Sequence, residues 1–214
     1  NLSGVIGRNL AMLFSVFFAI AGLLLGFEYA NLTKDLPSIE ILPALLEPPG
    51  GLYLQPTRLY DRTGEKVIYS LQNPDAGERV YLPLAEMASS PEVLPSNLIS
   101  ATVAAIDPNY WSHPGFDLKS EISQGSRTIA QRLVDDLLLA EELPGFRREI
   151  RNRILSVQIT RQFGRQKLME WYLNHTNFSN LAFGAPAAAQ LYFGKHAQEL
   201  SFAEAAILLA QARN

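Results

Sequence analysis

Ala104-Ala-Ile-Asp-Pro-Asn-Tyr-Trp-Ser-His-Pro-Gly-Phe-Asp117 concentrates aromatic rings, a histidine, carboxylates and turn-forming residues in one short span. The apolar run leading into it, Leu98 to Ile106, fits a buried helix. That helix is predicted to end at Asp107, because the ring of Pro108 disfavours helical geometry in the residue before it. A stiff, partly aromatic loop follows. It reads either as the lip of a site or as a helix end capped by packed rings.

Working outward, the loop Ser89 to Asn97, with Pro91 and Pro95, precedes this helix. Before it lie two β-prone runs around Asp61 to Gly64, the pattern of a hairpin within Thr57 to Leu71. Val80 to Leu84 offers a third short strand. Leu36 to Gly51 is a connector spaced by Pro37, Pro43, Pro48 and Pro49. Leu10 to Phe27 carries no charge, and its about 18 residues nearly cover a hydrocarbon core of ~30 Å. This predicts a transmembrane helix: no small-residue cleavage pattern follows it, and Arg8, Glu28, Lys34 and Asp35 flank it as they would a span. Arg8 on one side and an acidic, polar continuation on the other place the amino terminus inside and the bulk of the chain outside.

Downstream, the apolar stripe Ile129, Leu133, Leu137 and Leu138 predicts a helix over Thr128 to Ala140, broken by Pro144 and Gly145. Arg147 to Phe163 places Ile150, Ile154 and Val157 on one face and Arg147, Arg148, Arg151 and Arg153 mostly on others. Such a run is a solvated face, or a patch for anionic lipid head groups or a pyrophosphate. Lys167 to Leu173 is amphipathic, Pro186 suits the first position of a helix over Ala187 to Leu191, and Ser201 with Glu204 forms a capping box for a last helix through Leu209. The predicted layout is a flank at 1–9, a transmembrane helix at 10–30, a Pro-rich connector at 31–56, a small β element and loop at 57–97, and a helical domain at 98–214. The apolar pattern still running at the end, and a first residue other than Met, predict a longer native protein.

Composition excludes several classes. A formal charge of −3 argues against nucleic acid as a partner, and the absence of cysteine removes disulfides and thiolate metal sites. His113, His175 and His196 are scattered singly, so no histidine-based metal site is expected.

Lys167-Leu-Met-Glu-Trp-Tyr-Leu-Asn174, Gly184-Ala-Pro-Ala-Ala-Ala-Gln-Leu-Tyr-Phe-Gly-Lys195 and Leu200-Ser-Phe-Ala-Glu-Ala-Ala206 together resemble the peptidoglycan glycosyltransferase domain of penicillin-binding proteins and monofunctional transglycosylases, glycosyltransferase family 51. The segment Arg58-Leu-Tyr-Asp-Arg-Thr-Gly64 resembles that family's link between anchor and domain. The resemblance implies a mainly α, lysozyme-like glycosyltransferase domain with a small β-hairpin element and one N-terminal transmembrane helix. It also implies a bacterial cytoplasmic membrane location, with the globular part on the outer face.

Members of the family polymerise lipid II. A glutamate in Glu-Asp-x-x-Phe-x-x-His-x-Gly acts as general base, and a Lys and second Glu in Arg-Lys-x-x-Glu serve the pyrophosphate side. The chemistry requires those types, since a hydroxyl nucleophile must lose its proton and a diphosphate leaving group needs positive charge or a divalent ion. Here Asp107, Tyr110, His113 and Gly115 fall on the first motif, but its base position falls on Ile106. Arg148 keeps the third motif's Arg, while Glu149 replaces Lys and Asn152 replaces Glu. In the second motif, Gly-Gly-Ser-Thr-Ile-x-Gln-Gln, Gly125, Thr128 and Gln131 persist, and Ser126, Arg127 and Arg132 depart.

Loss of a base costs about 10²- to 10⁴-fold in rate. Reversing a charge about 4 Å from a phosphate swings binding by several kcal/mol, roughly 4 for each unit pair at an effective dielectric near 20. The resemblance with these departures implies a pseudoenzyme serving as an accessory or structural subunit of a larger membrane assembly. Two alternatives stand beside it. One is a divergent active transglycosylase using Asp107 or Glu149 as base, with a divalent cation such as Mg²⁺ only in that case; the other is a non-catalytic module binding glycan strands or lipid II. His113, Gly115, Thr128, Gln131, Arg148 and Asn174 are the expected remnants of the substrate site, with the bilayer and other membrane subunits as partners.

Overall fold

The computed structural model describes residues 2–77, 79–84 and 92–212, with side chains from residue 9 onward. The expected loop over Ser89 to Asn97 lies partly outside the described residues, as do the Arg8 side chain and both chain ends. Helix α1 (Leu2–Thr33) absorbs the predicted flank into one continuous helix. Within it Asn9–Thr33 is long and apolar enough to cross a membrane; its apolar stretch is unburied, and its last turn meets α6 where Arg151 donates to Leu32 O. Twenty-five residues at 1.5 Å each exceed the roughly 30 Å of a hydrocarbon core.

The connector is not featureless. Its prolines are accommodated by short turns and by α2 (Leu42–Leu46), which buries Leu42 and Leu46 against the main core. Strands β1 (Thr57–Tyr60) and β2 (Val67–Leu71) then pair antiparallel, with Thr57 opposite Leu71 and an irregularity between Leu59 and Tyr60. This is the predicted hairpin.

The expected third strand does not form. Residues 79–84 pair with no strand among the described residues; Pro83 O accepts from Leu94 N–H at 2.9 Å, and the Leu82 and Leu84 backbone bonds go to side chains of a helix. Asn174 accepts from Leu82 N–H and donates to Leu82 O, both at 2.8 Å, and Glu170 accepts from Leu84 N–H at 2.8 Å. An amide side chain carries a donor and an acceptor in the same plane, so Asn174 replaces a strand neighbour.

Five helices and a central rod make the domain: α3 (Ser96–Ile106), α4 (Leu118–Gln124), α5 (Ile129–Leu137), α6 (Phe146–His175), α7 (Ala185–Phe193) and α8 (Phe202–Ala210). Helix α3 stops at Asp107 as Pro108 requires. Helix α4 was not expected, although Asp117 caps it by accepting from Lys119 and Ser120 N–H and Gly125 closes it in the left-handed conformation. Ser201 makes the expected capping box with Glu204, and Thr128 makes a further one with Gln131.

The rod is α6, whose two halves meet at Gly164 with φ +78°, a value favouring glycine. This is why the sequence reads as two amphipathic segments on either side of that position. Leu155, Ile159, Leu168, Met169, Trp171 and Leu173 of α6 are buried, and α2, α3, α5, α7, α8 and the segment Leu82–Leu84 pack into the same core. The small residues Ala187, Ala188 and Ala189 of α7 are all buried within it.

Candidate functional site

The stretch from Ala104 to Asp117 is chiefly a packed helix end. Tyr110 is buried and donates its hydroxyl to Arg165 O, while Arg165 donates back to Tyr110 O at 3.1 Å and His113 O at 2.6 Å. Trp111 alone of this pair of rings stands half in solvent. His113 Nε2 lies 2.9 and 3.0 Å from the two Asp107 oxygens, and Gly115 N–H donates to His113 Nδ1 at 3.2 Å. Nδ1 is therefore the acceptor, and the ring proton sits on Nε2, aimed at Asp107. Asp107 also accepts from Ile129 N–H at 3.1 Å, and Thr128 donates its hydroxyl to Gly115 O at 2.7 Å.

These bonds staple the loop to the amino terminus of α5, where a carboxylate meets free N–H groups. Gly115, at φ +138°, presses so closely on the Ser156 and Val157 backbone that a Cβ there would collide with it. Asn152, fully buried on α6, joins the same network by donating to Gln131 O at 2.9 Å, and Gln131 in turn donates to Glu121. Ile106 is half-buried and packed against the core.

Asp107, His113, Gly115, Thr128, Gln131 and Asn152 thus form one hydrogen-bonded frame. Asn174 does not belong to it, being spent on Leu82 and on Glu170 O.

Beside the frame, a cleft of about 610 Å³ is lined by Gly125, Arg127, Arg132, Asp135, Asp136, Arg148, Tyr172 and others. Arg127 donates to Asp135 at 2.6 Å and to Glu149 at 2.5 Å. Arg148 Nη2 lies 2.9 Å from Asp135 Oδ1, and Arg132 Nε donates to Arg127 O at 3.2 Å. Burial raises the Asp135 carboxyl above its ordinary value despite the pull of Arg127 and Arg148. Asp136 is raised as well, by burial in the cleft and then by the adjacent Asp135. Two carboxylates side by side are each harder to ionise.

Three guanidiniums, those of Arg127, Arg132 and Arg148, therefore face three carboxylates, those of Asp135, Asp136 and Glu149. Fully ionised, the cleft is electrically balanced. An incoming diphosphate must compete with acids the chain itself supplies.

Asp135 and Asp136 are missing from the sequence expectations, although their spacing from Arg132 on one helix was a signal for them. The basic run on α6 is likewise not a free patch. Arg147 and Arg151 both bond Asp35, at 2.8 and 2.6 Å, Arg153 bonds Glu121 at 2.6 Å, and Arg148 faces Asp135. Each arginine of the run is answered by an acid distant in sequence.

A helical domain built around one kinked rod, with a polar cleft between α5 and residues from both halves of that rod and an apolar helix leading into it, defines a transglycosylase-type domain. Residues 79–214 match the family model described as Transglycosylase, and the chain belongs to that family. It is similar to penicillin-binding protein 1A of Rickettsia felis, 32% identical over 92% of this chain and 25% of that protein. The same holds for penicillin-binding protein 1A of Aquifex aeolicus, at 34% over 83% and 24%, and of Pseudomonas aeruginosa, at 31% over 88% and 22%. The chain spans about a quarter of the length of the curated relatives it matches.

Proposed function

We propose that this chain is a membrane-anchored transglycosylase domain that does not catalyse glycan polymerisation and serves as an accessory or structural subunit of a larger membrane assembly. In this reading α1 holds the domain on the outer face of the cytoplasmic membrane. Lipid II or glycan strands remain within its reach as ligands rather than substrates. The observation that carries the reading is Ile106, an apolar side chain packed on the core where the family places its base. The neighbouring acids offer no ready substitute. Asp107 is buried and holds His113 and the Ile129 N–H, and Glu149 is held by Arg127. A base must be within hydrogen-bond reach of the proton it takes and free to accept it.

The test is a lipid II polymerisation assay on the detergent-solubilised chain, with Mg²⁺ present. No glycan chains are expected. Chains formed by the wild type and lost in Asp107→Asn or Glu149→Gln would restore the alternative of a divergent active enzyme. Mild-detergent purification from native membranes checks the second half of the reading, since a stable partner is expected and a monodisperse monomer counts against it.

A further inference from the structure

A second cavity, of about 710 Å³, lies where the anchor meets the domain, with Asp35, Tyr53, Glu141, Glu142, Arg147 and Arg151 among its walls. Its height relative to α1 is fixed by hydrogen bonds. Arg151, whose side chain is only 5% exposed, donates to Leu32 O in the last turn of α1 at 3.2 Å and to Asp35 Oδ1 at 2.6 Å. A spanning helix ends at the polar boundary of the hydrocarbon, so the cavity opens where lipid headgroups lie.

Two further features sit at the same edge. Leu143 and Phe146, just before Arg147, are 84% and 79% exposed. Bare apolar side chains next to a charged rim are the arrangement of a surface that meets a bilayer interface. The charges in the rim are also uneven. Arg147 and Arg151 already bond Asp35, and Arg151 lies 3.1 Å from Glu142, whereas Glu141 is exposed with no ion pair or hydrogen bond found among the described residues. The walls therefore offer carboxylate to spare, while Arg147 keeps a side chain 46% open to solvent.

We propose that this juxtamembrane cavity is a phospholipid headgroup site selective for a primary ammonium carried on a phosphate. The ammonium faces Glu141, the phosphate faces the open side of Arg147, and the acyl chains lie along Leu143 and Phe146. A quaternary ammonium has no N–H to donate to Glu141, and an anionic headgroup meets the excess of carboxylates. The site rests on α1 spanning the bilayer and is independent of whether the cleft is catalytic.

The experiment uses the full chain expressed in membranes. An alkaline carbonate wash comes first. Native mass spectrometry in detergent then reads the lipids bound from an equimolar mixture of phosphatidylethanolamine, phosphatidylcholine and phosphatidylglycerol with identical acyl chains. Phosphatidylethanolamine adducts are expected to exceed each of the others about fivefold, the scale of one charge-assisted hydrogen bond at a partly screened site. Glu141→Gln is expected to abolish that preference, Phe146→Ser to lower adducts of all three lipids, and Glu65→Gln on the distant hairpin to change nothing. Phosphatidylglycerol binding as well as phosphatidylethanolamine, or a preference that survives Glu141→Gln, overturns the site. A chain removed by the wash overturns the span and the site together.

Discussion

Arg127 and Glu149 stand where the family pattern has Ser and Lys, so the cleft keeps an internal cation while reversing the charge contributed by α6. Glu149→Lys tests whether this is a compensated exchange. With Arg127 Nη2 at 2.5 Å from Glu149 Oε1, charge centres roughly 4 Å apart at an effective dielectric near 20 give roughly 4 kcal/mol of attraction. The two side chains are 31% and 38% exposed, which brings the expected net value down to about 1 kcal/mol. Glu149→Lys removes that attraction and adds a repulsion of similar size, for a loss of about 2 kcal/mol, or about 4–8 °C in Tm for a chain of this length. Arg127→Ser in the same chain removes the repulsion and should recover at least half of the loss. Thermal unfolding of the detergent-solubilised chain by circular dichroism reads both, and raising the salt to about 0.5 M should shrink the difference. An unchanged Tm in Glu149→Lys, or a double variant no more stable than the single one, would refute the exchange.

Gly115→Ala should destabilise the fold by about 2–4 kcal/mol through its positive φ and its collision with the Ser156 backbone, measured as a drop in Tm with the Gly64→Ala turn variant as a comparison. Burial, aided by Arg79, depresses His175 to about 4 from its ordinary 6.5. The unfolded chain then binds a proton that the folded chain refuses, so stability is intact above pH 6.5 and declines as pH falls toward 4, by up to about 3 kcal/mol. Denaturant titrations between those pH values should show the decline in the wild type and a flatter profile in His175→Gln.

The elements that local chemistry dictates were legible in the sequence. Pro108 stops α3, Ser201 and Glu204 cap α8, and the turn at Asp61 to Gly64 closes the hairpin, each through contacts within a few residues. Helix α4 carries equally good end signals in Asp117 and Gly125, but it is short and sparsely apolar and so shows no periodicity of its own. What the sequence could not show is which groups satisfy one another across long separations. Arg151 meets Asp35 more than a hundred positions away, so the basic run looked like a surface for foreign anions. Val80 to Leu84 has the residues of a strand, and nothing in them reveals that its partners are the Asn174 amide and the Glu170 carboxylate on α6. The site followed the same rule: the frame around Asp107 and His113 is carried by recognisable motif residues, but the balancing role of Asp135 and Asp136 emerges only once α5 and α6 lie together.

The tie between Asn174 and the Leu82 backbone bears on how motifs of this kind are interpreted. In the most recognisable signature of the chain, ending in Tyr-Leu-Asn, the asparagine ties residues 79–84 to the rod together with Glu170. That is a folding role, distinct from any contact with a substrate. Ancestry and chemistry are thus written in separable residues: Asn174 carries the first through the segment it holds in place, whatever the cleft around Arg127 and Glu149 does.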